Sequence, residues 1–512
     1  MTTAIRLAAC LAAVFLTACA SLEPRPQLPL DAAVPVGTGT PLDGLVGLTE
    51  ERYPGQSGFR LVREGPEAFA IRAHTARIAG RSIDVQTYIW HDDLAGGYLA
   101  VQLLNAADRG VKVRLLVDDM DARKKNYAFA ALDAHPNIDV RMFNPFESRS
   151  GTLAFAFEAM GSFSRINRRM HNKTWIVDNR IAVAGGRNLG DEYFGASDEV
   201  NFVDLDFAMV GPIVRDASAS FDRYWNSPLA YPMAMLAPKA VTPEALQQLR
   251  DNIAAKIGAM EQSRFARELR QSDAIQRLVA GDWPMHRSAS FRFVSDDPRK
   301  AMGETEGIEG SQVLQTLGPV MKASKSTVSI ISPYFVLGER GTEFLTSIDR
   351  SGSAVRVLTN SLAANDVAMV YGGYSKSREP LLEGGVEIWE LKPAVGSKVD
   401  SSMFGSSGAS LHTKALEVDG RIAFVGSYNL DPRSTSLNCK QGIFVESPEI
   451  AAQLQQIFGI DTAGDRAWAV TLQDDKLEWN DGTKAHDSAP EASAGRKFQA
   501  WLAKVLPLDS QL

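Results

Sequence analysis

Two blocks of the sequence repeat the same spacing. Met170 to Asn188 reads MHNKTWIVDNRIAVAGGRN, and Leu411 to Asn429 reads LHTKALEVDGRIAFVGSYN. In both, a histidine stands two residues before a lysine and an aspartate follows five residues later. A glycine comes seven residues after that aspartate, and an asparagine ten residues after it. His171 and His412 are 241 residues apart, while Asp118 and Asn360, in the matching segments VKVRLLVDD and SAVRVLTNS, are 242 apart. Near-equal offsets at separated landmarks mean that one domain has been duplicated, not that a short repeat has been stacked.

The surrounding pattern supports this. SIDVQTYIWHDD reads as a strand, GGYLAVQLLNAADRG as a helix closed by Gly110, and VKVRLLVDD as a second strand. KSTVSIISPYFVLG, EFLTSIDRSG and SAVRVLTNS retrace that order, and VEIWELKP adds a strand. Strand, helix, strand with short links predicts a mixed, mostly parallel sheet flanked by helices in each half. A 512-residue chain is too long for one core. The expected divisions are a first domain over 56–295, carrying a helical insertion near 241–280, a second domain over 296–455, and an extension over 456–512. FQAWLAKVLPL in that extension reads as a short helix docking back, with membrane-surface contact as the weaker alternative.

His412 and Lys414, like His171 and Lys173, share one face if they lie on a strand, since side chains alternate with a period of two. The imidazole can attack or carry a proton near neutral pH, while the ammonium holds a phosphate oxygen. Asp178 and Asp419, at the strand ends, can orient neighbours. Asn188, Ser427 and Asn429 offer phosphate donors beside small residues. A single H-x-K would be unremarkable; two complete copies at corresponding places are a site. A metal centre fits poorly, because lysines flank both histidines and no His/Asp/Glu cluster converges.

The two blocks resemble the paired HKD motifs of the phospholipase D superfamily, as do RNLGDEYF (187–194), DLDFAMVGP (204–212) and GSYNLDPRSTSLN (426–438). Among its branches the segments look most like bacterial cardiolipin synthases of the C type. The resemblance implies two α/β domains joined about a pseudo-two-fold axis, complete within one chain and needing no cofactor or metal. It implies a phosphatidyl transfer through a phosphohistidine, with His171 as nucleophile and His412 as acid/base. Catalytic residues by this carry-over are His171, Lys173, Asp178, His412, Lys414 and Asp419. Two positions depart from the pattern. Gly186 replaces the hydroxyl present at Ser427, and Lys440 stands where family members often carry an acid.

Composition narrows the alternatives. Net charge is -7, from 54 basic and 61 acidic residues. That balance argues against a protein held on nucleic acid mainly by phosphate neutralisation. The resemblance implies phospholipids at a membrane surface as partners, with nucleic acid unlikely and the need for an accessory protein left open. Hydrolysis by a phospholipase D, an exported phosphodiesterase or nuclease, and a non-enzymatic envelope scaffold are the competing readings.

The N-terminus places the chain. Arg6 precedes the apolar run LAACLAAVFLTA, which ends at Cys19. Twelve residues cover only about 18 Å as a helix, too short to cross a bilayer. Residues 1–18 read as a lipoprotein signal, Cys19 as the lipidated residue, and 19–55, dense in proline, as a tether. Leu16-Thr17-Ala18-Cys19 resembles a bacterial lipoprotein processing site, and that resemblance implies a location at the periplasmic face of the envelope, with the outer membrane favoured. Of three cysteines, only Cys439 lies in the body, so a core and not disulfides must hold the fold.

Overall fold

The computed structural model describes residues 25–147, 163–303, 310–393 and 411–506. The leader with Cys19, and the Gly/Ser segment 405–410, lie outside the described residues. The first half forms a nine-stranded sheet from β1 (Ser57–Val62), β2 (Ser82–Thr87), β3 (Lys112–Asp118), β4 (Ile138–Phe143), β5 (Thr174–Val177), β6 (Ile181–Gly185), β7 (Asp206–Val210), β8 (Ala230–Pro232) and β9 (His286–Ser288). Its order is β8-β4-β3-β2-β5-β6-β7-β1-β9.

The second half supplies β10 (Phe291–Ser295), β11 (Thr327–Ile331), β12 (Ala354–Asn360), β13 (Glu387–Leu391), β14 (Ala415–Val418), β15 (Ile422–Gly426), β16 (Gln441–Glu446), β17 (Ala467–Gln473), β18 (Lys476–Asn480) and β19 (Ala485–His486). They run in the order β10-β16-β15-β14-β11-β12-β13-β17-β18-β19. The duplication is thus visible strand for strand: β2-β3-β4 matches β11-β12-β13, and β5-β6-β7 matches β14-β15-β16.

The sheets are mixed rather than mostly parallel. Parallel pairing is confined to β2/β3/β4 and β11/β12/β13, the strands joined by helical crossovers. β5, β6 and β7 pair antiparallel, as do β14, β15 and β16, with tight turns joining β5 to β6 and β14 to β15. Antiparallel neighbours need only a short turn, and Asp178-Asn179 and Asp419-Gly420, all at positive φ, supply it. The expected helix ending at Gly110 is present as Leu94–Asp108. It begins where the Asp93 carboxylate accepts the Gly96 N–H (2.9 Å) and ends ahead of Gly110 at φ 94°.

Three boundaries move. Residues 25–52 do not hang free as the tether predicted over 19–55. Arg25 donates to the Ser227 carbonyl (2.8 Å), Lys112 pairs with Asp31 (2.7 Å), and Asp43 receives both Arg81 and Arg180. The division falls between β9 and β10, at residues 289–290, instead of 295–296. The extension is not an appendage either: β17 pairs with β13 and carries β18 and β19 with it. The 241–280 insertion is helical as expected, forming Pro243–Gln262, Arg264–Gln271 and Asp273–Val279 against the first domain's outer helices.

The halves are fused by one core. Phe59, Phe143, Met170 and Phe207 from the first pack in the same buried cluster as Ile331, Leu358, Leu411 and Ile443 from the second. Each such side chain contributes about 1.5–3 kcal/mol when fully buried. Separating the halves would forfeit many of these at once, so the interface is a rigid frame for whatever lies in it.

Candidate active site

The H-x-K segments lie just ahead of β5 and β14 rather than on them, and each is stitched to the opposite half. The His171 N–H donates to the Cys439 carbonyl (3.0 Å) and the Cys439 N–H to the Arg169 carbonyl (2.9 Å). The His412 N–H donates to the Val203 carbonyl (2.8 Å). Short parallel bridges Met170–Cys439 and Val203–Leu411 mark the same two crossings. Strand ends that would otherwise carry unpaired backbone groups find partners across the pseudo-two-fold.

Asp118 and Asn360, the landmarks at the ends of β3 and β12, fix the residue before each histidine. Asp118 accepts the Met170 N–H (2.8 Å), and Asn360 accepts the Leu411 N–H (3.1 Å) while its own amide donates to the Leu411 carbonyl (3.0 Å). Burial raises the Asp118 carboxyl to about 6 despite the nearby Arg169. Their sequence spacing signalled the repeat; their role shows only in the fold.

Each lysine folds back on its own histidine. Lys173 Nζ donates to the His171 carbonyl at 2.8 Å, and Lys414 Nζ to that of His412. The His171 ring lies 4.7 Å from that of Tyr88, whose face also receives Lys173 (5.2 Å). His412 stacks on Phe202 (5.7 Å) and meets the edge of Tyr193 (5.4 Å). Lys173, Lys414 and Lys440 are all buried. Burial lowers Lys173 well below an ordinary lysine, with Lys440 and Lys414 adding repulsion. Burial brings Lys414 to about 8 and Lys440 to about 7. Dehydrated ammonium groups this close are costly alone. An anion about 4 Å from one of them gains roughly 4 kcal/mol at an effective dielectric of 20. Three buried lysines so placed favour an anion among them.

The two imidazoles are unequal. His412 Nδ1 lies 2.6 Å from Asp204 Oδ2. Asp204 is held by the Leu205 N–H (2.8 Å) on its carboxylate and by Arg187 (2.7 Å) on its carbonyl. Burial and Lys414 lower His412 to about 4 against the pull of Asp204, and Asp204 itself falls to about 2 because His412 and the cations outweigh its burial. His171 Nδ1 is buried with no hydrogen-bond partner among the described residues. Burial, then Lys173, Lys440 and Lys414, hold His171 well below a normal histidine.

Asp178 and Asp419 do not join the histidines. They sit at the far ends of β5 and β14, about 13–17 Å along the chain from the lysines at 3.3 Å per residue. Asp178 accepts the N–H groups of Gly80, Arg81 and Ser82, and Asp419 those of Lys325, Ser326 and Thr327. Each carboxylate clamps the turn that starts the neighbouring parallel strand, a structural place rather than a catalytic one. Asn188 is engaged at both ends of its amide, by the Ile89 N–H (3.2 Å) and the Tyr193 hydroxyl (2.9 Å). Asn429 Oδ1 is buried without a partner. Ser427 Oγ accepts the Gln441 N–H (3.1 Å). The uncommitted Asn429 Oδ1 is an acceptor, so it does not itself supply a donor to a phosphate.

Trp90, Phe143, Phe146 and Phe335 are core residues. His91, Asp93 and Glu192 bring three potential metal-ligand atoms within 4.8 Å of one another. Asp93, however, already accepts the Gly96 and Asp191 N–H groups, and His91 pairs with Glu192 (3.0 Å). A groove of about 660 Å³ lined by Phe291, Arg292, Lys325 and Asp419 lies at the opposite end of the second sheet.

The family described as "Cardiolipin synthase, PLD-like domain" matches residues 74–225 and 318–461, one copy in each half and each containing one H-x-K segment. The chain belongs to this cardiolipin synthase family. It is 39% identical to cardiolipin synthase C of Escherichia coli (strain K12) over 90% of this chain and 97% of that protein. It is 24% identical to a cardiolipin synthase of Staphylococcus aureus (strain Mu50), covering 79% of this chain and 67% of that one. The structure of phosphatidylserine synthase from Haemophilus influenzae Rd KW20 superposes with a TM-score of 0.51 at 13% identity, over 83% of this chain and 91% of that one, a likeness of fold.

Within the family fold, the two sequence departures turn out to be one. Gly185 pairs with Asp206 and Gly426 with Gly442, so Asp204 and Lys440 occupy equivalent positions. A Cβ on Gly186 would stand 2.2 Å from Asp204 Oδ1. Glycine is required where the carboxylate fills the space. In the other half Lys440 replaces that carboxylate, and Ser427 is accommodated.

Proposed function

We propose that the chain is a phosphatidyltransferase that forms cardiolipin, passing a phosphatidyl group from one phosphatidylglycerol, or from phosphatidylethanolamine, to the head-group hydroxyl of a second phosphatidylglycerol. The observation that carries the chemistry is the interlocked pair of H-x-K segments with a carboxylate on one imidazole only. The lipid assignment draws on the family membership and on the name of the Escherichia coli relative.

His171, kept neutral by burial and by the surrounding lysines, attacks phosphorus through Nε2. The P–O bond to the departing alcohol breaks, and that alkoxide takes the proton from His412 Nε2, whose imidazolium Asp204 stabilises. A negatively charged phosphodiester raises both imidazoles, and Asp204 makes His412 the one that holds the proton. The incoming hydroxyl then gives its proton to neutral His412 and attacks phosphorus, and the P–N bond breaks. Lys173 and Lys414, with Lys440 behind them, balance the charge on the phosphate oxygens throughout. His171 as nucleophile and His412 as acid/base is therefore the assignment the asymmetry favours.

The proposed setting is the periplasmic face of the envelope, with lipid attached at Cys19 and the outer membrane favoured. Among the described residues no helix is long and apolar enough to cross a membrane. Concentrating two lipid substrates at one surface favours transfer over hydrolysis. Mass spectrometry of products from phosphatidylglycerol vesicles, with and without phosphatidylethanolamine, tests the reading. Cardiolipin is the expected product. Phosphatidic acid alone would make the protein a hydrolase, and cleavage of DNA without lipid turnover a nuclease.

A further inference from the structure

The C-terminal helix Ala494–Val505 is seated by its small residues. Gly372, on the helix Ala368–Glu383, approaches so closely that a Cβ there would lie 2.3 Å from the Ala500 carbonyl oxygen and 2.7 Å from Ala503 Cβ. Ala500 and Ala503 are buried. The opposite face is apolar and open. Phe498 is 60% exposed, Trp501 56% and Val505 56%, with Leu502 and Leu506 at 38%. Phe498 and Trp501 stack on each other at 5.9 Å, forming one aromatic plate. Scattered exposed leucines need no explanation, but five large apolar side chains on one edge do.

The helix carries Arg496, Lys497 and Lys504 and no acidic residue. Lys376 from the underlying helix joins them, donating to the Leu506 carbonyl (3.2 Å). Glu379 lies 3.9 Å from Lys504. A Trp/Phe plate with a basic flank suits the boundary between lipid head groups and acyl chains better than it suits a dry protein interface, where lysine is depleted.

Its location ties it to the site. Arg496 donates to the carbonyls of Leu362 (3.0 Å) and Asn365. These residues follow directly on Asn360, the side chain that pins Leu411 beside His412. The helix therefore sits on the loop at the histidine end of the second sheet.

We propose that the apolar face of Ala494–Val505 docks into the surface of an anionic phospholipid bilayer and sets the histidine end of the fold against the lipid. This rests on the transferase reading for its purpose but not for its measurement. The full-length chain carrying Val505→Cys, labelled there with an environment-sensitive fluorophore, would be added to vesicles of phosphatidylglycerol and phosphatidylethanolamine in equal parts, and to vesicles of phosphatidylcholine alone. A blue-shifted, brighter emission, strongest on the anionic vesicles, is expected. Water-like emission on those vesicles would overturn the proposal. So would an apolar shift without vesicles that grows with protein concentration, which would reveal a second copy as the occupant.

A Phe498→Ser/Trp501→Ser variant, with its melting temperature checked against the parent, separates docking from chemistry. Turnover on vesicles should fall about tenfold, while turnover of dissolved short-chain phosphatidylglycerol stays unchanged. Equal loss on both substrates would overturn the proposal. If the label inserts while neither protein turns over any lipid, docking stands and the transferase reading falls.

Discussion

Asp204 reaches out of the first half to bond His412 of the second at 2.6 Å, and among the described residues no carboxylate returns the favour to His171, where Lys440 occupies the equivalent position. A symmetric fold thus holds an asymmetric pair of imidazoles. One is equipped to hold a proton and the other to stay without it. In the proposed mechanism that difference assigns the acid/base role to His412.

Removing either imidazole should abolish transfer. His171→Ala and His412→Ala are each expected to lower turnover of phosphatidylglycerol vesicles by about a thousandfold or more, with folding intact by circular dichroism. Acid-labile label from a radioactive donor should remain on His412→Ala protein, slowly formed, and be absent from His171→Ala. The reverse pattern would exchange their roles.

Asp204→Asn tests the support of the acid. The carboxylate opposes the downward pull of burial and Lys414 on His412. Without it His412 releases its proton at lower pH, so the alkaline limb of the rate profile should move toward acid. Turnover at the optimum should fall about a hundredfold or more. An unmoved alkaline limb would remove Asp204 from the acid's support.

Gly186→Ala should copy that effect without replacing either residue of the pair, because the new methyl carbon would lie 2.2 Å from Asp204 Oδ1 and push the carboxylate aside. Overpacking of this kind costs about 1–3 kcal/mol in stability. Differential scanning calorimetry and the same pH profile check both expectations. Ser427→Ala, at the equivalent position, should leave the alkaline limb where it is.

Lys440→Met tests the other imidazole. Burial is the first cause of the low proton affinity of His171, and the charges of Lys173 and Lys440 come next. Deleting one cation raises that affinity. The nucleophile must be unprotonated, so the acid limb should move to higher pH. Chemical-shift titration of the His171 ring reads the same shift without turnover.

Asp419→Ala should act on stability rather than chemistry. Although burial pushes this carboxyl up, the N–H groups of Thr327, Lys325 and Ser326 and the Ser324 hydroxyl hold it well below the carboxylate range. A depressed folded-state pKa gives stability that is complete above the unfolded value of about 3.9 and is lost as pH falls below it. The variant's melting temperature should drop most at neutral pH, and the gap to the parent should narrow toward pH 3.

The duplicated H-x-K segments, the β-branched strands, the helix stops such as Gly110 and the family itself were legible in the chain, because periodicity and spacing are local properties. The aspartates of the two motifs misled for the same reason: adjacency in sequence suggested shared chemistry, yet a strand carries its two ends about 13 Å or more apart. Conversely Asp204, 208 residues from His412, offers no local signal that it belongs to that ring. The chain by itself determined what reactive groups exist and that they come twice. Only the tertiary structure decided which carboxylate meets which imidazole, that Gly186 is glycine because Asp204 fills its space, and that the C-terminal helix turns its rings outward. Those are outcomes of packing between segments distant in sequence, where the shape left by one side chain sets what its neighbour can be.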